Sequence, residues 1–227
     1  MRFRAAIIAA LLCPIAALPQ TTDSPEEVLA RLDRGAASFH SLSADVRYVQ
    51  HTAVINEDSV DTGTMRLKRT KRDMQMLVDF AAPNNKTASL HGHTLEIYNP
   101  KTQEVQEVDV AKYRGLFDQF YLVGFGTSGK ELADAYSIKV LGADTVSGKA
   151  TTRLELVPKS AEILKNMIKL ELWIPAGDVY PLQQKFYFPS GDYKLVTYTN
   201  VKVNPPLGDS DLKLRLPKDT KRVFPQR

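Results

Sequence analysis

From Gly63 to Pro100 apolar and polar residues alternate through GTMRLKRTKRDMQMLVDF and KTASLHGHTLEIYNP. A period of two marks half-buried strands, because successive side chains of a strand point to opposite faces. Met65 and Leu67 fall in phase with Met74, Met76, Val78 and Phe80, and then with Leu95 and Ile97. This predicts consecutive antiparallel strands with one apolar and one charged face. A basic knot of Lys68, Arg69, Lys71 and Arg72 sits at the first turn. Such an apolar face serves as a core wall or as the wall of a greasy pocket, and the alternation leaves both open.

The same phase analysis organises the rest of the chain. Ser24-Pro25-Glu26-Glu27 is a helix start: Ser24 caps, Pro25 suits the first helical position, and Glu27 completes a capping box. Val28, Leu29, Leu32 and Ala36 recur at helical spacing, and Gly35 is expected to weaken the end of the helix. Leu42, Ala44, Val46 and Tyr48 form a first strand, Asn56-Glu57-Asp58 a loop, and Val105 to Val110 a strand closing this half. Ala111 to Phe120 and Ser128 to Tyr136 are expected to be short helices around a glycine-rich turn. Strands resume at Ser137–Leu141, Thr151–Val157, Ile168–Ile174, Pro181–Phe188 and Tyr193–Val203, with turns at Ser147-Gly148 and Pro189-Ser190-Gly191-Asp192. Ile168, Leu170, Leu172 and Ile174 alternate with Lys169, Glu171 and Trp173, and a tail with Leu212, Leu214 and Leu216 ends in a basic terminus. About ten strands joined by short turns predict one mainly β domain, an antiparallel meander that forms a barrel or a strongly curved sheet.

Composition changes the picture at the N-terminus. Arg2 and Arg4 precede an apolar run from Ala5 to Ala17, too short to span a bilayer, which predicts an export signal over residues 1–17 and a mature domain over 18–227. Cys13, the chain's single cysteine, lies in that signal. It follows Leu12 rather than a small residue, which argues against lipidation. The 30 Lys and Arg against 26 Asp and Glu leave too small a surplus to imply nucleic acid, though a local basic patch suits anionic headgroups or an acidic partner.

Candidate chemistry is sparse. Gly124-Phe125-Gly126-Thr127-Ser128-Gly129-Lys130 approaches a phosphate-binding loop, but Glu131 stands where a magnesium-ligating hydroxyl is needed. A loop followed by a Ser128-capped helix is the expectation. His91 and His93 flank Gly92 in a turn with Glu96 as the nearby third ligand candidate, short of a metal site. No GxSxG and no thiol outside the signal point to nucleophilic catalysis. No cofactor, no metal and no enzymatic activity are expected. Met65, Met74 and Met76 share one pair of strands, and methionine adapts to irregular ligands, although ordinary core produces the same pattern.

Two blocks resemble the LolA family of periplasmic outer-membrane lipoprotein carriers. Gly63-x-Met65-x-Leu67-Lys68-Arg69, a Pro83-Asn84 turn and Gly92-His93-Thr94-Leu95-x-Ile97-Tyr98-Asn99-Pro100 are similar to its "G-x-L-x-x-K-R-P" and "D-G-x-x-L-W-x-Y-x-P" strands. Lys169-Leu170-Glu171-Leu172-Trp173-Ile174, Tyr180-Pro181, Gly191-Asp192, Tyr198, Asn200 and Leu216-Pro217 agree in order and spacing. The resemblance implies an incomplete, half-open antiparallel barrel covered by a helical lid around a cavity for acyl chains. It implies a monomeric periplasmic carrier that takes acylated lipoprotein from an inner-membrane lipoprotein-releasing transporter to an outer-membrane acceptor. The family's functional arginine matches Arg69, which is expected to donate to carbonyls of lid or ligand. The cavity wall is assigned to Met65, Leu67, Met74, Met76, Val78, Leu95, Ile97, Ile168, Leu170, Leu172, Phe186 and Phe188. Thr70 replaces the family's proline and His91 its aspartate. A relative that carries a glycolipid or isoprenoid lipid, or senses lipoproteins as a regulator, is the alternative.

Overall fold

The computed structural model describes residues 23–71, 73–111 and 123–225. The expected export signal with Cys13, Arg72, and all but Ala111 of the first expected middle helix lie outside them. The first helix, α1 (Pro25–Ser38), begins as its spacing predicts: the Glu27 amide donates to Ser24 Oγ at 3.2 Å and the Ser24 amide to the Glu27 carboxylate at 2.8 Å. Gly35 lies within the helix, which runs on to Ser38. It is buried where a Cβ would stand 2.3 Å from Cβ of Val179, so it permits the helix to approach that loop. Helices α2 (Gly129–Ala135) and α3 (Ala161–Leu164) are capped by Ser128 and Ser160.

The strands are β1 (Ser41–Thr52), β2 (Glu57–Arg69), β3 (Met74–Phe80), β4 (Thr87–His91), β5 (Thr94–Asn99), β6 (Glu104–Asp109), β7 (Tyr136–Val146), β8 (Lys149–Pro158), β9 (Lys169–Pro175), β10 (Gln183–Tyr187), β11 (Tyr193–Val203) and β12 (Lys221–Val223). Among the described residues they form one sheet in the order β12-β6-β5-β4-β3-β2-β1-β11-β10-β9-β8-β7, with its two edges unjoined. The meander is antiparallel except where β12 lies parallel to β6. That strand is absent from the expectation, because three residues carry too little alternation to register. Ser147 (φ 49°) and Gly148 (φ 77°) make the two-residue β7–β8 turn, whose left-handed backbone matches the twist of the strands. Asp192 accepts the Ala53 amide at 2.7 Å, tying the β10–β11 turn to the β1–β2 turn.

Two clusters divide the face that carries the helices, here the inner face. Val28 and Leu32 of α1 and Leu132 of α2 pack with Leu154, Leu156, Leu170, Leu172 and Phe186, sealing the β7–β10 half. The helices touch closely there, for a Cβ on Gly129 would lie 2.2 Å from the Leu29 carbonyl oxygen. The second cluster, under β1–β5, collects Leu42, Ala44, Val46, Met65, Leu67, Met76 and Leu90.

The outer face of β8–β10 carries a buried charge network. Glu171 and Glu155 stand directly opposite, and Lys169 Nζ bridges them at 2.9 and 2.7 Å. Arg153 donates to the Glu171 carboxylate at 2.6 Å, the Tyr187 hydroxyl donates to it at 3.2 Å, and the Glu171 side chain is only 1 % exposed. Trp173 is buried beside them, with its indole N–H on Asp144 at 2.7 Å and Arg153 over its ring. Burial raises the Glu171 carboxyl, but the hydrogen bonds from Lys169 and Arg153 outweigh burial and hold it below its ordinary value of 4.5. A depressed carboxyl contributes stability above its unfolded value that is lost as pH falls through the folded one. Urea melts are therefore expected to weaken as pH drops below about 4.5, and Glu171→Gln is expected to flatten that limb.

Candidate functional site

The inner face of β2–β6 is built by register. Met65 stands opposite Val78, Leu67 opposite Met76 and Arg69 opposite Met74. Val78 then faces Ala88, and Ala88 faces Ile97; Met76 faces Leu90, Leu90 faces Leu95, and Leu95 faces Val108. All these apolar side chains share one face. Met65, Leu67 and Met76 are buried, whereas Met74, Val78, Phe80, Leu95, Ile97 and Val108 are half-buried. Phe80, already in phase with these residues, and Val108 extend the surface beyond the residues assigned to the cavity wall.

The residues assigned from the second half are not brought to this surface. Leu170, Leu172 and Phe186 are fully packed under α1 and α2, and Phe188 lies at the edge of that cluster. Ile168 is a correction. Its phase fits the inner face, but β9 begins one residue later, and the side chain is 48 % exposed while its amide binds the Tyr187 carbonyl. Between the two halves runs a buried polar chain: Tyr198 donates to Gln184 Oε1 at 2.7 Å, and Gln184 Nε2 to the Val123 carbonyl at 2.6 Å. Burial pushes the Tyr198 phenol up, so it remains a donor.

Arg69 ends β2 at the rim. Its Nη1 donates to the Ala36 carbonyl in the last turn of α1 at 2.8 Å, its Nη2 to the Gly126 carbonyl before α2, and its guanidinium lies 5.5 Å from the centre of the Phe39 ring. Gly126 has φ +71°, and a Cβ there would stand 2.5 Å from Nη2, so the contact requires glycine. One side chain thus clamps helix and loop to the sheet. The clamp borders a cleft of about 560 Å³ whose lining includes Lys71, Asp73, Met74 and Glu131.

Departures from the family motif have local reasons. Thr70 donates its amide to the Asp73 carbonyl at 2.8 Å and exchanges side-chain bonds with Asp73, closing a turn for which proline lacks the N–H. The Gly124–Lys130 stretch is the loop and capped helix expected of it. Glu131 accepts the Ser128 amide at 2.8 Å, and its carboxylate faces the helix start where a phosphate would lie. His91 meets Glu96 at 3.2 Å, and His93 is exposed. Ser89 shares the outer face with His91 but makes no hydrogen bond to it. Among the described residues no group of three or more His, Cys, Asp and Glu is placed to hold a metal.

No family model matches the chain, and no curated protein matches it in sequence. Solved structures do match. An uncharacterised conserved protein from Thermus thermophilus aligns at TM-score 0.53 and 15 % identity, over 89 % of this chain and 99 % of that one. MucB aligns at TM-score 0.53 and 13 % identity, over 84 % of this chain and 62 % of that one. A LolA superfamily protein from Nitrosomonas europaea aligns at TM-score 0.41 and 12 % identity, over 85 % of this chain and 99 % of that one. The fold, an open sheet not closed into a barrel, is the one shared with the Thermus thermophilus protein and MucB. At these identities the likeness is one of fold, and the chain spans about three-fifths of MucB. The open sheet is an incomplete barrel, α1 and α2 cover one half of its inner face, and Arg69 joins that cover to the other half.

Proposed function

We propose that this chain is an exported, non-enzymatic carrier that shields acyl chains against the inner face of β2–β6. The observation that carries the reading is the run of half-buried apolar residues in register, Met74, Val78, Leu95 and Ile97, beside the Arg69 clamp. Each methylene withdrawn from water contributes about 0.8 kcal/mol, so a long acyl chain needs such a surface to cross an aqueous compartment. A carrier must also let go. A clamp made of hydrogen bonds from one exposed arginine opens at modest cost, which suits release.

The cargo is an acylated lipoprotein, received in the periplasm from an inner-membrane releasing transporter and passed to an outer-membrane acceptor. Residues 1–17 act as the export signal, and 18–227 form the carrier domain, which needs no cofactor. Arg69 sets opening; Met65, Leu67 and Met76 back the half-buried wall. A lipoprotein-sensing regulator is the second reading, since MucB, which shares the fold, is also solved in complex with a protein partner, MucA.

Titration with a fluorescent C16 acyl probe and with a triacylated lipopeptide is expected to show saturable binding at about one to one. Native mass spectrometry of protein from a diderm periplasm is expected to show retained acylated material. Protein that takes up neither ligand overturns the proposal. Transfer of bound lipopeptide to acceptor vesicles or protein separates the carrier from the sensor, which binds without handing on.

A further inference from the structure

The outer face of β3–β6 carries a second chamber, formed where the chain doubles back after β11. Asn204 pins the start of this strap by accepting the His40 amide at 2.7 Å and donating to the Ser38 carbonyl at 2.9 Å. Lys68 holds Asp209 at 2.8 Å, and Leu212 is buried. The far end is fastened by β12 and by Arg222, which reaches Glu96 at 2.9 Å and Glu107 at 2.6 Å. Between strap and sheet lies a cavity of about 760 Å³, within the usual size of small-ligand sites.

Its two walls differ. The sheet side presents Gln75, Ser89, His91 and Thr94, while the strap contributes Leu214 and Leu216. The Ser89 hydroxyl is buried and, among the described residues, has no hydrogen-bond partner. A buried hydroxyl without a partner is costly, and such groups mark places where a ligand or water completes the bonding. The carboxylates of Glu96 and Glu107 share Arg222, Asp209 is paired with Lys68, and Lys213 of the strap adds a second cation to the lining, so fixed charges of both signs are matched in number and favour neither an anion nor a cation. An apolar strip facing hydroxyl, amide and charge-matched groups fits a ring with hydroxyls at its edge and C–H groups on its face.

We infer that this chamber binds a neutral saccharide, with Ser89 and Gln75 bonding its hydroxyls and Leu214 and Leu216 lying on its apolar face. The site is separate from the acyl surface, on the opposite face of the same strands. The saccharide is either free or the headgroup of a glycolipid.

Calorimetric titration of the full chain with maltotriose and with chitotriose tests the free form, and vesicles of phosphatidylcholine with digalactosyl diacylglycerol test the headgroup. Saturable binding in either arm is expected, and the arm that responds names the source. Ser89→Ala is expected to weaken that binding about tenfold while leaving thermal stability equal or higher, since it removes an unsatisfied polar group. Gln75→Ala is expected to weaken it as well, and a saturating C16 probe is expected to leave it unchanged. Silence in both arms up to 10 mM trisaccharide overturns the inference, as does binding that neither variant alters.

Discussion

Val78→Asp is expected to weaken binding of the C16 probe by about a hundredfold while the protein stays folded. Val78 stands in the middle of the open surface, opposite Met65 on one side and Ala88 on the other, and is only half-buried. In the empty protein an aspartate there keeps much of its water. Beneath an acyl chain it is stripped of that water with no cation to pair, at a cost of about 3 kcal/mol, which is about two powers of ten in affinity. Fluorescence titration reads the loss, and circular dichroism with a urea melt confirms the fold. Leu172→Ala is the counterpart in the sealed half. Leu172 is fully buried under the helices, so its truncation is expected to cost about 2–5 kcal/mol of stability and leave probe affinity of the folded protein unchanged. Equal loss of affinity in the two variants would mean that the apolar face binds nothing in particular.

Arg69→Leu is expected to speed probe release about tenfold with little loss of overall stability. The guanidinium holds two carbonyls on two different covering elements, Ala36 on α1 and Gly126 before α2. Charge-assisted bonds are nominally worth about 1.5–3 kcal/mol each, but Arg69 is exposed, and solvent screening reduces the pair to about 1–2 kcal/mol in all. A closed state weakened by that amount opens about tenfold more often. Stopped-flow displacement of the probe measures it. Arg69→Lys, which keeps charge but loses the fork that spans both carbonyls, is expected to behave like Leu rather than wild type. Unchanged release rates in both variants would remove Arg69 from the mechanism.

What was legible in the sequence is what depends on neighbours along the chain. The Ser24 and Ser128 capping boxes declare themselves by a three-residue spacing, and the strands from β2 to β6 by strict alternation. Alternation even placed Met65, Val78, Leu95 and Ile97 in one phase, because each hairpin is short enough to preserve register. It could not tell open wall from sealed core. Leu95 and Leu172 alternate alike, and only the packing of α1 and α2, distant in sequence, buries the latter. Arg69 was marked by family resemblance, while its partners are backbone carbonyls that leave no trace in residue identity. The network around Glu171 gave no signal, because its partners are spread over three strands. Ser89 likewise gave no signal, since its burial depends on a strap more than a hundred residues away.

The sheet order carries a consequence for how the chain assembles. β1 pairs on one side with β2, its immediate successor, and on the other with β11, with Val46 meeting Tyr198. Each remaining antiparallel neighbour is joined through a hairpin or a short connection, so most of the meander zips locally. The β1–β11 seam, like the short β12–β6 pairing, must wait until nearly the whole polypeptide is present, and closing so large a loop costs entropy before the pairing repays it. Until then β1 is a bare edge that exposes its ladder to other chains. A polypeptide emerging from its N-terminus therefore passes through an interval in which it most needs a holding chaperone, and that interval ends when Tyr198 reaches Val46.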